Sequence, residues 1–184
     1  TTRVALISSP LRSRVSGGVF RLEFYSNEEI VKIIERSSKI LDIILEKDAL
    51  GEIAKRSRFT PRTANYFLKR CRDFAQVNKK DDKKSLNRKI TKEALDMLAV
   101  DDIGLNSSDR KFLEILIEKF KGGPVGLKTM AAALSEEEAT IEEVIEPYLI
   151  QLGLLERTAR GRVAAKKAYE HLGFDLKEGQ EKLL

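Results

Sequence analysis

The chain has 184 residues, of which 42% are hydrophobic and 34% are charged. This length and composition are typical of a globular protein with one or two buried cores. The single cysteine, Cys71, excludes an internal disulfide and is typical of a reducing, cytoplasmic setting. With one histidine, His171, and no long apolar run, the sequence predicts neither a Cys/His metal cluster nor a transmembrane helix.

The formal net charge of +5 is unevenly distributed along the chain. Residues 1–100 carry 22 Lys and Arg against 13 Asp and Glu, whereas residues 101–184 carry 12 against 16. A change of sign near residue 100 indicates two units with different electrostatic roles.

Residues 1–25 contain two extended segments, at 4–7 and 19–25, and no further strand is predicted before residue 120. Because a strand without partners leaves its backbone polar groups unpaired, we expect these residues to be the tail of a larger sheet. Arg12 and Arg14 follow the first segment. They are either a finger that reaches the nucleotide of a neighbouring subunit or part of a solvated basic loop.

Residues 26–102 predict a small bundle of four helices. Ser26 with Glu28 and Glu29 indicates a helix start, and apolar residues keep helical spacing from Ile30 to Leu45. Three more helices are predicted at 48–58, 60–77 and 91–98, and the polar stretch 78–87 is typical of a solvated loop.

Thr60, Pro61 and Arg62 form the first candidate site. Thr60 suits the N-cap and Pro61 the first helical position, which places Arg62 in a first turn where the helix dipole disfavours a cation. An anion bound at this helix end would explain the arginine, although a solvated surface arginine fits the local pattern as well. The basic run 55–72 is equally consistent with a nucleic-acid face, a subunit interface or solvated surface.

Residues 103–184 predict a winged helix, a helix-turn-helix with a β-hairpin wing. Helices are expected at 108–121, 128–134 and 136–152, the last kinked at Pro147. Extended runs at 154–158 and 162–165 are joined by a turn containing Gly161, and a final helix covers 166–172.

The wing and the helix before it have opposite charge. The helix that would enter a major groove carries six glutamates and no Lys or Arg, which disfavours base reading: Glu136, Glu137, Glu138, Glu142, Glu143 and Glu146. The wing region supplies the candidate DNA contacts, Arg157, Arg160, Arg162, Lys166 and Lys167. DNA binding would therefore use the backbone, independent of sequence. A winged helix used only for protein contacts remains the alternative.

Several of these segments together resemble the bacterial RuvB family, hexameric AAA+ motors that drive Holliday-junction branch migration. Thr1-Thr2-Arg3 with Ser8-Ser9-Pro10-Leu11-Arg12-Ser13-Arg14 is similar to the family's sensor 1 and arginine-finger segment. Thr60-Pro61-Arg62 is similar to its sensor 2 motif, and Arg21-Leu22-Glu23-Phe24-Tyr25 to the start of its lid. Three further segments resemble its winged helix: Gly122-Gly123-Pro124-Val125-Gly126-Leu127, Glu146-Pro147-Tyr148-Leu149 and Arg157-Thr158-Ala159-Arg160-Gly161-Arg162.

The resemblance implies a mainly α architecture in three parts: the tail of the ATPase core at 1–25, a lid at 26–102 and a winged helix at 103–184. It implies that Arg14 is the trans finger, that Tyr25, Pro61 and Arg62 contact nucleotide, and that the wing cations face DNA. It also implies a homo-hexamer that uses ATP with Mg²⁺ and works with the RuvA junction-binding protein and the RuvC resolvase. Because no phosphate-binding loop of the G-x-x-x-x-G-K-[ST] type occurs, we expect this chain alone neither to hydrolyse ATP nor to bind it tightly.

Three departures from the family pattern stand near these sites. The segment Val15-Ser16-Gly17-Gly18 is longer than usual after Arg14, Phe59 replaces a small residue, commonly Gly, and Ala159 replaces a common Pro in the wing turn. Two rival functions are a free-standing winged-helix transcription regulator and a protein-interaction module of another AAA+ machine.

Overall fold

The computed structural model describes residues 8–14, 23–78 and 85–175. The helices there are α1 (Ser9–Arg14), α2 (Asn27–Ile40), α3 (Lys47–Arg56), α4 (Pro61–Asn78), α5 (Arg88–Met97), α6 (Ser107–Glu118), α7 (Leu127–Leu134), α8 (Glu138–Thr140), α9 (Glu146–Gln151) and α10 (Lys166–Leu172). The strands are β1 (Ile44–Leu45), β2 (Ser85–Leu86), β3 (Leu155–Thr158) and β4 (Gly161–Ala164). The prediction of a mainly α chain with a bundle and a winged helix is confirmed. Across the described ranges, no helix combines the length and apolarity that crossing a membrane requires.

Helices α2 to α5 form the bundle around one apolar core, which includes Ile30, Ile34, Ile53, Leu68, Cys71 and Leu95. The start of α2 is fixed as the sequence predicts. The Ser26 hydroxyl accepts a hydrogen bond from the Glu29 N–H, and the Glu29 carboxylate accepts one from the Ser26 N–H. This reciprocal pair satisfies two backbone donors that a helix start leaves open.

The predicted continuation of α2 to Leu45 is wrong. The helix ends at Ile40, and Asp42 adopts a left-handed backbone with φ of 53°. Ile44 and Leu45 then pair in parallel with Ser85 and Leu86, so strands occur well before residue 120. The apolar spacing could not distinguish these outcomes, because a two-residue strand adds too few positions to break a helical pattern. Of the predicted loop 78–87, residues 79–84 lie outside the described residues.

Helices α6 to α10 and the hairpin enclose a second apolar core, which includes Phe112, Leu113, Leu116, Met130, Ile141, Leu149 and Leu154. Strands β3 and β4 are antiparallel, with Leu155 opposite Ala164 and Thr158 opposite Gly161. Val125 and Arg162 exchange two backbone hydrogen bonds of 3.0 and 2.8 Å, which fix the wing against the residues that follow α6. Gly161 is required here because its φ is 138° and a Cβ would collide with the Val125 backbone.

The acidic helix is divided rather than simply kinked. The predicted single helix 136–152 consists of α8, a π-helical turn (Ile141–Ile145) and α9. Pro147 has no N–H and its ring displaces the preceding turn. The wider turn accommodates it, because the Glu146 N–H donates to the Ile141 carbonyl five residues back.

Most of the residues on which the N-terminal predictions fall lie outside the described part of the chain. The strand expected at 4–7 lies outside the described residues. Of the strand expected at 19–25, only residues 23–25 are described, and they do not form a strand. Arg12 and Arg14 lie in α1 and not in a loop, so that part of the expectation is corrected. The Pro10 position explains the change, because a proline near a helix start removes a donor that would have had no partner.

Candidate nucleotide and nucleic-acid contacts

The start of α4 brings three predicted residues together. The Tyr25 N–H donates to the Phe59 carbonyl at 3.3 Å, which places Tyr25 beside the turn that leads into Pro61 and Arg62. Tyr25 is 43% exposed, and the Arg62 side chain is exposed as well. The backbone of Tyr25 and the exposed Arg62 therefore both lie at the start of α4.

The electrostatics of this helix end suit an anion. The first turn of α4 contains no acidic residue. The Thr60 hydroxyl lies 2.8 Å from the Thr63 hydroxyl and 3.3 Å from the Ser57 carbonyl oxygen. Backbone N–H groups at the start of α4 and the Arg62 guanidinium can thus act together on a phosphate.

The turn before α4 has an unusual backbone. Arg58 and Phe59 both have positive φ, 52° and 54°, in the left-handed region that disfavours side chains with a Cβ. A glycine would adopt this backbone without steric cost, which explains why a small residue is common in the family at the position of Phe59. Here Phe59 packs its ring against the core of the winged helix instead.

The predicted finger residue, Arg14, is the last residue of α1 and is exposed. Within the described residues, no hydrogen bond or ion pair joins it to Tyr25, Pro61 or Arg62. Within the same described part of the chain, no three His, Cys, Asp or Glu side chains come together in a way that would hold a metal ion.

Two of the predicted wing cations, Arg157 and Arg162, form ion pairs with glutamates of the same domain. Glu146, whose side chain is 1% exposed, accepts from Arg162 Nε at 2.6 Å and from Arg157 Nη2 at 2.6 Å. Glu142 lies 3.0 Å from Arg157 and 3.3 Å from Arg162. The Arg162 side chain is 11% exposed, so its main role is to neutralise a buried carboxylate.

The other three wing cations remain at the surface. Arg160 lies at the turn between β3 and β4 and is exposed, as are Lys166 and Lys167. Lys166 makes only a long pair of 3.9 Å with Glu170, and Lys167 donates to the Leu152 carbonyl at 2.8 Å. Exposed pairs of this kind are weak, so these side chains are available to phosphates.

The basic run 55–72 is not a continuous free surface. The Arg56 side chain is fully buried and lies 2.5 Å from Asp102, 3.2 Å from Glu52 and 3.3 Å from Asp96. Arg70 and Arg72 both pair with Asp73. Several of these charges therefore stabilise the bundle and its connection to the linker, which weakens the interpretation of this run as a nucleic-acid face.

Sequence reasoning missed the contacts between the bundle and the winged helix. The Arg58 guanidinium pairs with Asp109, and Arg58 Cζ lies 4.6 Å from the centre of the Tyr148 ring. Burial raises the pKa of Asp109, opposed mainly by the Arg58 charge, and burial raises the pKa of Tyr148 to about 12. The one available signal was Phe59, a large apolar residue where the family commonly has glycine.

Comparison with known families agrees with these two units. A model of the RuvB AAA lid domain matches residues 25–101, and a model of the RuvB C-terminal winged helix domain matches residues 102–173. Together they span most of the chain.

Solved structures of the Thermotoga maritima RuvB Holliday junction branch migration motor are similar to this chain. The motor itself is 44% identical with a TM-score of 0.85, over 94% of this chain and 57% of that one. Two single-residue variants are 45% and 44% identical, with TM-scores of 0.83 and 0.84, over 94% of this chain and 56% and 57% of theirs. The chain thus spans little more than half the length of these proteins. It belongs to the RuvB family.

Proposed function

We propose that this chain is the nucleotide-sensing and DNA-contacting part of an ATP-driven motor that moves Holliday junctions during recombination and DNA repair. The observation that carries the proposal is the 44% identity to a branch migration motor across 94% of the chain. The intact protein would be a cytoplasmic homo-hexamer that uses ATP and Mg²⁺ and works with RuvA and RuvC.

The nucleotide role belongs to the start of α4. Arg62 would contact phosphate, with Pro61 and Tyr25 beside it, and Arg14 would reach nucleotide bound by a neighbouring subunit. The absence of acidic residues in the first turn of α4 supports this assignment, because the positive helix end then attracts an anion without competition.

The DNA role belongs to the wing, through Arg160, Lys166 and Lys167. Their exposure supports contact with the phosphate backbone, and the acidic side chains of α8 and the π-helical turn oppose insertion of this helix into a groove. Binding would therefore be independent of base sequence.

The proposal is tested by the affinity of the chain for a four-way junction, a matched duplex and a duplex of scrambled sequence. We expect the two duplexes to bind equally well, because the contacts are to phosphate. Arg160→Ala should weaken binding to all three, whereas Glu156→Ala, a neighbouring exposed acidic residue, should not weaken it. A preference for one duplex sequence would instead indicate a transcription regulator.

The chain alone should show no ATP hydrolysis, since its sequence contains no phosphate-binding loop. Turnover above background, measured as phosphate release from ATP with Mg²⁺, would contradict this expectation.

A second function, docking of another protein, is favoured by the pairing of Arg157 and Arg162 with Glu142 and Glu146. These pairs remove two cations from those available to DNA and neutralise two of the glutamates at the same time, so the wing attracts phosphate less than its sequence suggests. If none of the three DNA molecules binds, this alternative replaces the DNA role, while the family assignment stands.

A further inference from the structure

The turn between α3 and α4 connects the nucleotide-sensing helix end to the winged helix. All three contacts of the Arg58 side chain lie beyond the bundle. Its Nε donates to the Gly104 carbonyl at 3.1 Å, its Nη2 pairs with Asp109 of α6, and its guanidinium covers the Tyr148 ring. Asp109 is 1% exposed, so the carboxylate of this ion pair is held out of water, while the Arg58 side chain is 20% exposed.

Phe59 joins the same two parts of the molecule in a different way. Its ring packs against the core of the winged helix, with its centre 6.4 Å from that of Tyr148. Its backbone carbonyl accepts the hydrogen bond from Tyr25 in front of α2. The Phe59 side chain thus contacts the winged helix, whereas its backbone contacts Tyr25 at the nucleotide-sensing helix end.

The backbone conformation of the turn depends on these contacts. Two consecutive residues with side chains hold positive φ, and such a backbone persists only where the surroundings impose it. For Arg58 and Phe59 the surroundings are the Gly104 carbonyl of the linker and side chains of the winged helix. Thr60, Pro61 and Arg62 follow directly, so the direction in which α4 starts is fixed by the same contacts.

We propose that Arg58 is a positioning residue for Arg62 and that the winged helix, through Asp109 and Tyr148, holds the nucleotide-sensing turn in place. This inference rests on the proposed nucleotide role of Arg62. Force or displacement applied to the winged helix by DNA would then reach the nucleotide-sensing helix end through one short turn and not through the bundle core.

The test is amide hydrogen exchange, followed by NMR on the 184-residue chain. The reporters are the amides of Tyr25 and Thr60, which donate to the Phe59 and Ser57 carbonyls. The references are the amides of Leu68 and Leu116 in the two cores. In Arg58→Ala we expect the reporters to exchange about tenfold faster or more relative to the references, because one buried charged hydrogen bond is lost.

Arg110→Ala is the matched control. Arg110 also donates to backbone carbonyls near the linker, those of Ala99 and Leu105, but it does not contact the turn. It should leave the ratio of reporter to reference exchange unchanged. Arg58→Lys keeps the charge beside Asp109 and should restore part of the protection.

Equal acceleration at all four amides in Arg58→Ala, or no acceleration at the reporters, would overturn the positioning role. If Arg58→Ala does not fold, Arg58→Gln provides the same comparison, because it removes the charge that pairs with Asp109 and keeps most of the side chain. The nucleotide role is checked separately by titrating the wild-type chain with inorganic pyrophosphate to concentrations high enough to detect weak binding, since tight nucleotide binding is not expected of a chain without a phosphate-binding loop. If the amides near Arg62 do not shift, the proposed nucleotide role fails, whereas the exchange result still decides whether the winged helix holds the turn.

Discussion

Arg160 and Arg162 are two residues apart on the wing, but they differ in burial and in partners. Arg162 is 11% exposed and neutralises Glu146, whereas Arg160 is exposed at the hairpin turn. We expect Arg162→Ala to lower the free energy of unfolding by about 3 kcal/mol, near the lower end for breaking a buried pair because Arg157 still neutralises Glu146. Arg160→Ala should change it by less than about 0.5 kcal/mol.

Urea denaturation of the two variants measures this difference directly. Equal stabilities for Arg160→Ala and Arg162→Ala would show that the contacts with Glu146 do not stabilise the wing. A loss of DNA affinity in Arg160→Ala without loss of stability would separate the binding role from the structural one.

Asp109 provides a prediction about pH. Burial raises its pKa above the ordinary 3.8, and the charge of Arg58 is the largest opposing influence. Because the folded protein holds this proton more tightly than the unfolded chain, Asp109 contributes stability below pH 3.8, which is lost as the pH rises through its folded pKa. The Asp109 carboxyl carbon shift should therefore titrate with a midpoint above 3.8.

In Arg58→Ala this midpoint should move higher still, because the main influence that lowers it is gone. A midpoint that stays the same or falls would mean that Arg58 and Asp109 do not interact in solution. Arg160→Ala, which removes an exposed cation that is not among the groups shifting the pKa of Asp109, should leave the midpoint unchanged.

The sequence was informative about which residues carry charge, but not about which charges are already neutralised. The pattern alone gave Arg157, Arg160 and Arg162 the same role. Their separation into paired and exposed residues depends on Glu146, which is eleven or more residues away and becomes buried only when the acidic helix folds against the wing. Pairing of this kind is a property of the tertiary structure and has no local signal.

At the scale of elements, the linker after α5 depends on a glycine. Gly104 has φ of 84°, and a Cβ there would lie 2.7 Å from the Arg56 carbonyl oxygen and 2.8 Å from the Tyr148 hydroxyl. We expect Gly104→Ala to destabilise the protein by more than about 1 kcal/mol, since both the backbone and the space are unsuitable. Thermal unfolding monitored by circular dichroism is the measurement.

Gly51 is the matched control, because it lies inside α3 and a Cβ there would meet nothing within 4 Å. Gly51→Ala should raise the free energy of unfolding by about 0.5–1 kcal/mol through higher helix propensity. If both substitutions change stability in the same direction, the close approach at Gly104 does not constrain the linker.

The reactivity of the Cys71 thiol measures how often the bundle core opens. Cys71 is fully buried in α4, and burial raises the pKa of its thiol to about 12. At pH 8 the thiol is therefore neutral and shielded, and labelling by a disulfide reagent requires the bundle to open. We expect a labelling rate at most about one thousandth of that in the urea-unfolded chain. Rapid labelling under native conditions would contradict a closed bundle core.

The helices were the most predictable elements, because their apolar spacing and caps are local. The start of α2 at Ser26 was identified from the residues alone. The short strands at 44–45 and 85–86 were missed, since their pairing joins residues about forty positions apart. The π-helical turn was missed for a related reason: Pro147 predicts a disturbance but not the form that it takes.

At the scale of the whole molecule, the proposed DNA role makes a prediction about salt, because neutralisation within the winged helix would set the strength of DNA binding. The sequence offers five wing cations, but Arg157 and Arg162 pair with Glu142 and Glu146, which leaves three available. Each phosphate neutralised contributes about 0.9 to the slope of log affinity against log salt. Three contacts predict a slope of about 2.7, and thus a fall in affinity of about 40-fold between 50 and 200 mM salt.

Five contacts would give a slope of about 4.5 and a fall of about 500-fold over the same range, so a titration of the chain with duplex DNA distinguishes the two cases. We expect the lower value, and Arg160→Ala should reduce the slope by about one further unit. A wild-type slope near 4.5 would mean that Glu142 and Glu146 release their arginines when DNA arrives. In that case Glu146→Gln would leave the slope unchanged. Arg157 and Arg162 would then pair with glutamates in the free protein and contact phosphates once DNA binds.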